Sequence, residues 1–218
     1  LLPREHRAGV EAFIKAQTRN QNTRSATFRD PVVIQASQFF YRLRLDFINR
    51  AQTFLHSAVL APRLSIPQLA QATPHPEILR QIYSRSAGLV IGENHYSVAS
   101  KKFLIDNMAE LAKNDVKTFY LEHLQTDFHQ VDLDINARSG IISHKLNKFL
   151  KQLYKREGLD SYPAYTFLTL VTAARSHGIR IIALYCASSY HIIGKRDYHL
   201  KRCKALSFYG SETIRAHQ

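Results

Sequence analysis

Tryptophan is absent from this 218-residue sequence, cysteine occurs twice and methionine once. Cys186 and Cys203 are too few for a disulfide framework and lack the spacing of a zinc site, so we expect reduced thiols. No apolar run approaches the roughly 18 residues that a spanning helix needs, and the first residues lack the layout of a signal peptide. We therefore expect neither a disulfide-rich scaffold nor a spanning helix.

Acidic residues are also scarce, with 17 Asp and Glu against 30 Lys and Arg and a formal charge of +13. This charge favours an anionic partner, such as phospholipid headgroups, nucleic acid or an acidic protein face. Nucleic acid is the least favoured, because the aromatic residues fall in predicted strands and helices and form no basic aromatic platform. With 45% hydrophobic residues the chain can bury a sizeable core, which excludes disorder and coiled coil.

The first part of the chain, residues 1–83, is predicted to be a basic helical subdomain or connector. Apolar residues recur at helical spacing within residues 39–55, and Asp30 followed by Pro31 marks a helix start. Prolines then interrupt the pattern up to a boundary near Tyr83. Three basic residues between the apolar positions are predicted to face either an anionic membrane or only solvent: Arg42, Arg44 and Arg50.

In the second part, residues 84–218, short apolar runs alternate with helical segments. The runs at residues 88–91, 118–121 and 179–184 are predicted strands. Runs of this kind form a parallel sheet that is covered by helices on both faces. The predicted fold class is therefore α/β, a mostly parallel sheet with flanking helices, preceded by the basic helical subdomain.

Ionisable residues mark the ends of the first two predicted strands, with Glu93 and His95 after the first and Glu122 and His123 at the second. Because parallel strands joined by one crossover end at the same sheet edge, one pocket is predicted to hold all four side chains. Carboxylates beside imidazoles provide either a general base that activates water or a site for Zn²⁺, Mn²⁺ or Fe. A third interpretation is that the acids only pair with nearby Lys or Arg.

Tyr185 and His191 follow the third predicted strand. We predict that they contact a substrate, because they lie at the same sheet edge. Between them, Cys186 is predicted to be an inert buried thiol, since a nucleophile would need activation by a neighbouring histidine. The other histidines considered are predicted to be surface or capping residues: His129, His144, His177 and His199.

The two acid–histidine pairs, with their flanks at residues 88–95 and 119–124, resemble the superfamily that joins erythromycin esterases, ChaN-like haem-binding proteins and Tiki/TraB proteases. The pattern is most similar to the toxin branch, which includes the MARTX Ras/Rap1-specific endopeptidase and the central domain of Pasteurella mitogenic toxin. In both, a basic helical membrane-localisation module precedes the domain. The resemblance covers roughly residues 87–218 and implies that the two pairs form the catalytic cluster of a peptidase.

The resemblance further implies a toxin or effector domain that a bacterium secretes and that hydrolyses a bond in a host protein. A small GTPase at the inner face of the host membrane is the expected substrate. Glu93 or Glu122 would be the base, with either no cofactor or a divalent metal at the cluster. Relatives carry Asp at the position of Tyr185 and a further strand with another active-site His, so we expect the domain to continue beyond residue 218.

Two alternatives from other classes remain open. One is a ChaN-like protein that binds metal or haem without turnover. The other is a catalytically degenerate binding module of the same fold, which is suggested by Tyr185 in place of Asp.

Overall fold

The computed structural model of the chain describes residues 8, 10–11, 31–57, 72–156, 158–159, 161–190 and 198–217. In this part of the chain the helices are α1 (Pro31–Ser57), α2 (His75–Tyr83), α3 (Ala99–Asp106), α4 (Met108–Lys113), α5 (Thr126–Ser139), α6 (His144–Arg156), α7 (Phe167–Ser176), α8 (Ala187–Tyr190) and α9 (Tyr198–Arg215). A 3₁₀ turn, Pro163–Tyr165, precedes α7, and the strands are β1 (Thr118–Gln125) and β2 (Arg180–Tyr185). Over these residues, no helix combines the length and apolar character that crossing a bilayer requires.

The two strands pair in a parallel sheet, and the chain between them forms α5, α6 and α7. The Arg180 N–H donates to the Lys117 carbonyl at 2.8 Å where the strands begin. In β2, Ile181, Ile182 and Ala183 are buried, as the apolar run at residues 179–184 predicts. The predicted α/β class with flanking helices is therefore confirmed.

The strand predicted at residues 88–91 is wrong, because this segment has no regular secondary structure. Its Val90 side chain is 95% exposed, so the apolar run is not a buried core strand. An apolar run predicts burial only when a neighbouring strand or helix covers it, and periodicity alone does not supply that neighbour. Within the described residues, the sheet therefore consists of β1 and β2.

The helix predicted between the first two strands is divided into α3 and α4 at Asn107. The Asn107 side-chain amide donates to the Phe103 carbonyl at 2.8 Å. Asparagine side chains compete in this way with backbone hydrogen bonds of a helix, which explains the break. Helices α6 and α7 lie between the second and third predicted strands, where the sequence predicts helical segments.

One compact unit consists of Leu1–Ala61, Tyr120–Gln130 and Ala183–Gln218. Within its described residues, α1 packs against α8 and α9. Phe47 of α1 meets Tyr209 of α9 edge to face, with ring centroids 5.4 Å apart. The apolar face of α1 is thereby buried as expected for an amphipathic helix.

The other compact unit consists of Pro62–Phe119 and Val131–Ile182. Its central helix, α7, contacts α3 and α6. The Thr166 hydroxyl caps α7 by accepting the Thr169 N–H at 2.9 Å, which satisfies an orphan donor of the first turn. The boundary near Tyr83, between a basic helical subdomain or connector and a second domain, stays a prediction.

Candidate functional site

Four of the side chains predicted from the sequence lie together. Each offers one nitrogen or oxygen atom, and these atoms lie within 4.8 Å of one another: Glu93, His95, Glu122 and His123. His95 is exposed, the two glutamates are partly buried and His123 is buried. We call this set the acid–histidine cluster, and the exposure of His95 lets water reach it.

The first acid–histidine pair lies in an irregular segment between α2 and α3, residues 88–98, which we call the acid loop. Asn94 organises a turn within it. Asn94 Oδ1 accepts the Tyr96 N–H at 3.1 Å, and the Asn94 carbonyl accepts the Ser97 N–H at 2.9 Å. Asparagine suits this turn because its side chain bonds the backbone two residues further on. The turn gives His95 a defined backbone position without a strand.

The second pair lies within β1 and not after it, because the strand continues to Gln125. The His123 side chain is 5% exposed, whereas that of Glu122 is 44% exposed. His123 Nε2 lies 3.9 Å from Glu122 Oε1, which is longer than a hydrogen bond. Solvent therefore reaches the Glu122 carboxylate but not the neighbouring His123 imidazole.

Sequence reasoning missed Lys101 in α3, whose ammonium lies 2.6 Å from Glu93 Oε1. The lysine side chain is 2% exposed and the glutamate side chain 16%. A sequence signal was present, since Lys101 and Ile105 are four residues apart and occupy one helix face. A lysine at a core position of an amphipathic helix indicates a buried partner of opposite charge.

The cluster contains donor types that suit a metal, because Zn²⁺, Mn²⁺ and Fe accept imidazole and carboxylate ligands. Around a tetrahedral Zn²⁺ with bonds of about 2.1 Å, ligand atoms are about 3.4 Å apart. Here the atoms lie up to 4.8 Å apart, and the Lys101 ammonium on Glu93 brings a positive charge to one donor. The donor set therefore fits a metal in type, while its spacing and this charge oppose one.

The predicted substrate contact Tyr185 ends β2 and is partly buried, and its carbonyl accepts the Thr126 hydroxyl at 3.3 Å. His191, the other predicted contact, lies outside the described residues. Cys186 is a buried thiol that belongs to no disulfide, as predicted. Its Sγ lies 3.5 Å from the Ser189 hydroxyl.

Two of the remaining histidines accept or share a backbone hydrogen bond. His129 is buried, and its Nδ1 accepts the Gln125 N–H at 2.9 Å. His177 is exposed, and its Nδ1 lies 2.9 Å from the Ala173 carbonyl. His144 is exposed at the start of α6, and the side chain of His199 is outside the described residues. His129 and His177 therefore each have a backbone hydrogen-bond partner, and His144 lies at the surface.

The three arginines of α1 differ in exposure. Arg42 and Arg50 are exposed, whereas Arg44 is 7% exposed and its guanidinium lies 5.5 Å from the centre of the Phe40 ring. The prediction that Arg44 lies on the outer face is therefore wrong, because it shares the buried face with Phe40 and Phe47. A membrane contact through Arg42 and Arg50 stays a prediction.

A buried polar group follows β1. The Asp127 carboxylate, 2% exposed, accepts the Ala187 N–H at 3.0 Å. The Thr126 hydroxyl lies 2.9 Å from the Tyr209 hydroxyl. Burial, with Cys186 as a further cause, raises the pKa of Tyr209 above its ordinary value. These groups bond to backbone and to one another, as buried polar groups in a folded core do.

Comparison with solved structures identifies the class of protein whose fold the chain shares. A structure described as bacterial protein toxins superposes with a TM-score of 0.64 at 24% identity, over 95% of this chain and 46% of that one. This likeness shows a fold found in bacterial toxins. No protein-family model matches the chain, so membership of the Tiki/TraB superfamily stays a prediction.

Two further comparisons show similarity to a particular toxin. The crystal structure of RRSP, a MARTX toxin effector domain from Vibrio vulnificus CMCP6, superposes with a TM-score of 0.68 at 28% identity, over 85% of this chain and 37% of that one. A multifunctional-autoprocessing repeats-in-toxin protein of Vibrio vulnificus is 37% identical over 123 residues, which are 56% of this chain and 2% of the toxin. The chain is therefore a homologue of a MARTX toxin effector domain and spans less than half of it.

Proposed function

We propose that the chain is part of a secreted bacterial toxin effector that hydrolyses a peptide bond in a host protein, with a small GTPase as the substrate class. The main supporting observation is the acid–histidine cluster, in which two carboxylates and two imidazoles lie within 4.8 Å. Homology to a MARTX toxin effector domain supports the toxin assignment. The proposed place of action is the host cytosol, at the inner face of the host membrane.

In the proposed reaction, Glu93 or Glu122 takes a proton from water, and the hydroxide attacks the carbonyl carbon of the peptide bond. His95 and His123 orient the water and stabilise the negative charge on the carbonyl oxygen. The C–N bond then breaks, and the proton passes to the leaving amine. The exposure of His95 and the partial exposure of both carboxylates allow water and a substrate chain to approach.

The decisive experiment incubates the chain with purified small GTPases, with and without EDTA, and reads the products by intact-protein mass spectrometry. We expect one cut that Glu122→Gln abolishes. Glu212→Gln is the matched control, because the Glu212 side chain is 42% exposed and pairs with Arg215 on the surface of α9. A folded sample that cuts none of the GTPases contradicts the proposal.

A metal-binding protein without turnover is the second candidate, favoured by the four donor atoms of the cluster. Titration of the chain with Zn²⁺ or Mn²⁺, followed by calorimetry, tests it directly. Stoichiometric binding that Glu122→Gln and His95→Ala each abolish, together with no cleavage, would favour this candidate. Cleavage that EDTA leaves unchanged would favour hydrolysis by side chains alone.

We further propose that Arg42 and Arg50 bring α1 to an anionic membrane. Each exposed basic residue near such a surface contributes about 1 kcal/mol, and salt screens the attraction. Vesicles with anionic lipid should therefore sediment the chain at low salt and release it at high salt. Arg42→Gln with Arg50→Gln should weaken this binding more than Arg215→Gln. Equal binding to neutral vesicles would contradict the proposal.

A further inference from the structure

Lys101 is a lysine in an unusual environment. It is 1% exposed, as deeply buried as the leucines and phenylalanine of its own core. Lysine is seldom fully buried without a partner, because removing an ammonium from water costs several kcal/mol. The position of Lys101 therefore requires an explanation from its contacts.

The Lys101 ammonium contacts a carboxylate and an aromatic ring. Lys101 Nζ lies 2.6 Å from Glu93 Oε1 and 4.6 Å from the centre of the Phe167 ring. Phe167, the first residue of α7, is itself 2% exposed and belongs to the same compact unit. A cation over an aromatic face is attracted to it. The lysine is thus held by a packed helix pair, α3 and α7, while its charge bonds the acid loop.

A purely structural role explains this arrangement poorly. Buried ion pairs often stabilise a fold no better than apolar residues of the same volume. The acid loop also has no regular structure, and its Val90 and Tyr96 side chains are 95% and 80% exposed. Without an anchor in the core, a carboxylate in such a loop would sample many positions. Catalysis requires its reacting groups to be held within about 0.5 Å.

We propose that Lys101 is a positioning residue for the reaction: it fixes the Glu93 carboxylate within the acid–histidine cluster. The inference rests on the proposed hydrolytic function and adds to it a residue that touches neither water nor substrate. Lys101 acts through Glu93, and the rigid pair of α3 and α7 determines where that carboxylate lies.

The test compares Lys101→Met with Lys102→Met in the full chain. The next residue, Lys102, is 51% exposed and pairs with Asp106 on the surface, so it is a matched control on the same helix. With the GTPase that the wild type cuts, we expect Lys101→Met to lower kcat at least about 100-fold with KM within twofold. Lys101→Arg, which keeps the charge, should recover at least a tenth of the wild-type kcat, and Lys102→Met should match wild type within twofold.

Crystal structures of the wild type and Lys101→Met provide a readout that does not depend on turnover. We expect the Glu93 carboxylate to move by more than about 1 Å or to lose order while α3 and α7 stay in place. If Lys101→Met does not fold, Lys101→Gln replaces it, because the shorter, uncharged amide cannot keep the 2.6 Å contact with Glu93 Oε1 but still leaves a polar group at this position.

An unmoved Glu93, or an unchanged kcat in the variant, would overturn the positioning role. A wild type that cuts no GTPase would instead refute the proposed substrate class, and the position of Glu93 in the two structures would still decide the role of Lys101.

Discussion

The acid loop and the first turn of α5 with the strand residue before it, residues 125–129, use polar groups in opposite ways. In the turn, Asp127 and His129 are 2% and 4% exposed, and each accepts a backbone N–H. In the acid loop, apolar Val90 and Tyr96 are exposed while Glu93 points to a buried lysine. Buried acceptors on backbone donors are explained by folding alone, whereas exposed apolar residues beside a fixed carboxylate are explained by binding and chemistry.

The largest expected effect lies in the cluster. Glu122→Gln should lower kcat at least about 100-fold, equivalent to about 2.7 kcal/mol, because a general base contributes 10²- to 10⁴-fold. The free energy of unfolding should change by less than about 0.5 kcal/mol, because the side chain is 44% exposed. Cleavage kinetics and urea unfolding measure the two quantities. If the free energy of unfolding fell as much as the activation free energy rises, Glu122 would be a structural residue.

His95→Ala should behave like Glu122→Gln, since His95 is exposed. Glu93→Gln is expected to differ, because it removes the carboxylate that lies 2.6 Å from the buried Lys101 ammonium and so lowers stability as well as activity. Glu122→Gln and Glu93→Gln thus distinguish a glutamate that serves activity alone from one that also serves stability.

Asp127→Ala tests the other side of the comparison. Removing the carboxylate leaves the buried Ala187 N–H without this acceptor, which should cost about 2–3 kcal/mol of unfolding free energy. Asp127→Asn is the control, because its amide oxygen still accepts and should retain most of the stability. Urea unfolding measures both variants. If Asp127→Ala unfolds at the wild-type urea concentration, the turn is not explained by folding.

Tyr209→Phe should lower the free energy of unfolding by about 1 kcal/mol, because it removes the hydroxyl that lies 2.9 Å from the Thr126 hydroxyl. The pH dependence of the stability is a sharper test of the role of Tyr209. Burial raises the pKa of Tyr209 above 10.0, so its contribution is complete below pH 10. Above pH 10 the unfolded tyrosine ionises before the folded one, and stability falls by at most about 1.4 kcal/mol per pH unit. Wild type should lose more stability than the variant between pH 9 and pH 11, as urea unfolding would measure.

A sequence pattern predicts a strand or helix correctly where the folded chain buries the apolar residues of that pattern. The apolar run at residues 179–184 became β2, and a helical segment predicted between the second and third strands became α6. The run at residues 88–91 has the same local character, yet Val90 is 95% exposed. The two runs differ in whether another strand or helix packs over them, and this depends on the tertiary structure and not on the local sequence.

The cluster was predicted from strand ends, although only its second pair lies on a strand. What holds from that reasoning is the order along the chain, since one pair precedes α3 and α4 and the other follows them. Two signals in the sequence were not used. Arg44 follows Phe40 by four residues and precedes Phe47 by three, so helical spacing places it on the buried face. Lys101 has the same kind of position in α3.

The smallest expected effect belongs to the exposed apolar residues of the acid loop. Val90 and Tyr96 flank Glu93 and His95 along the chain, so a substrate segment that reaches the cluster would cover them and gain apolar burial. Val90→Ser with Tyr96→Ser should raise KM about 3-fold, or about 0.7 kcal/mol, with kcat within twofold. Ile141→Ser is the control, because Ile141 is also an exposed apolar residue, 65% exposed, but lies outside the acid loop. Steady-state cleavage kinetics separate the two parameters. An unchanged KM in the double variant, or an equal rise in the control, would mean that the acid loop holds the catalytic groups but does not contact the substrate.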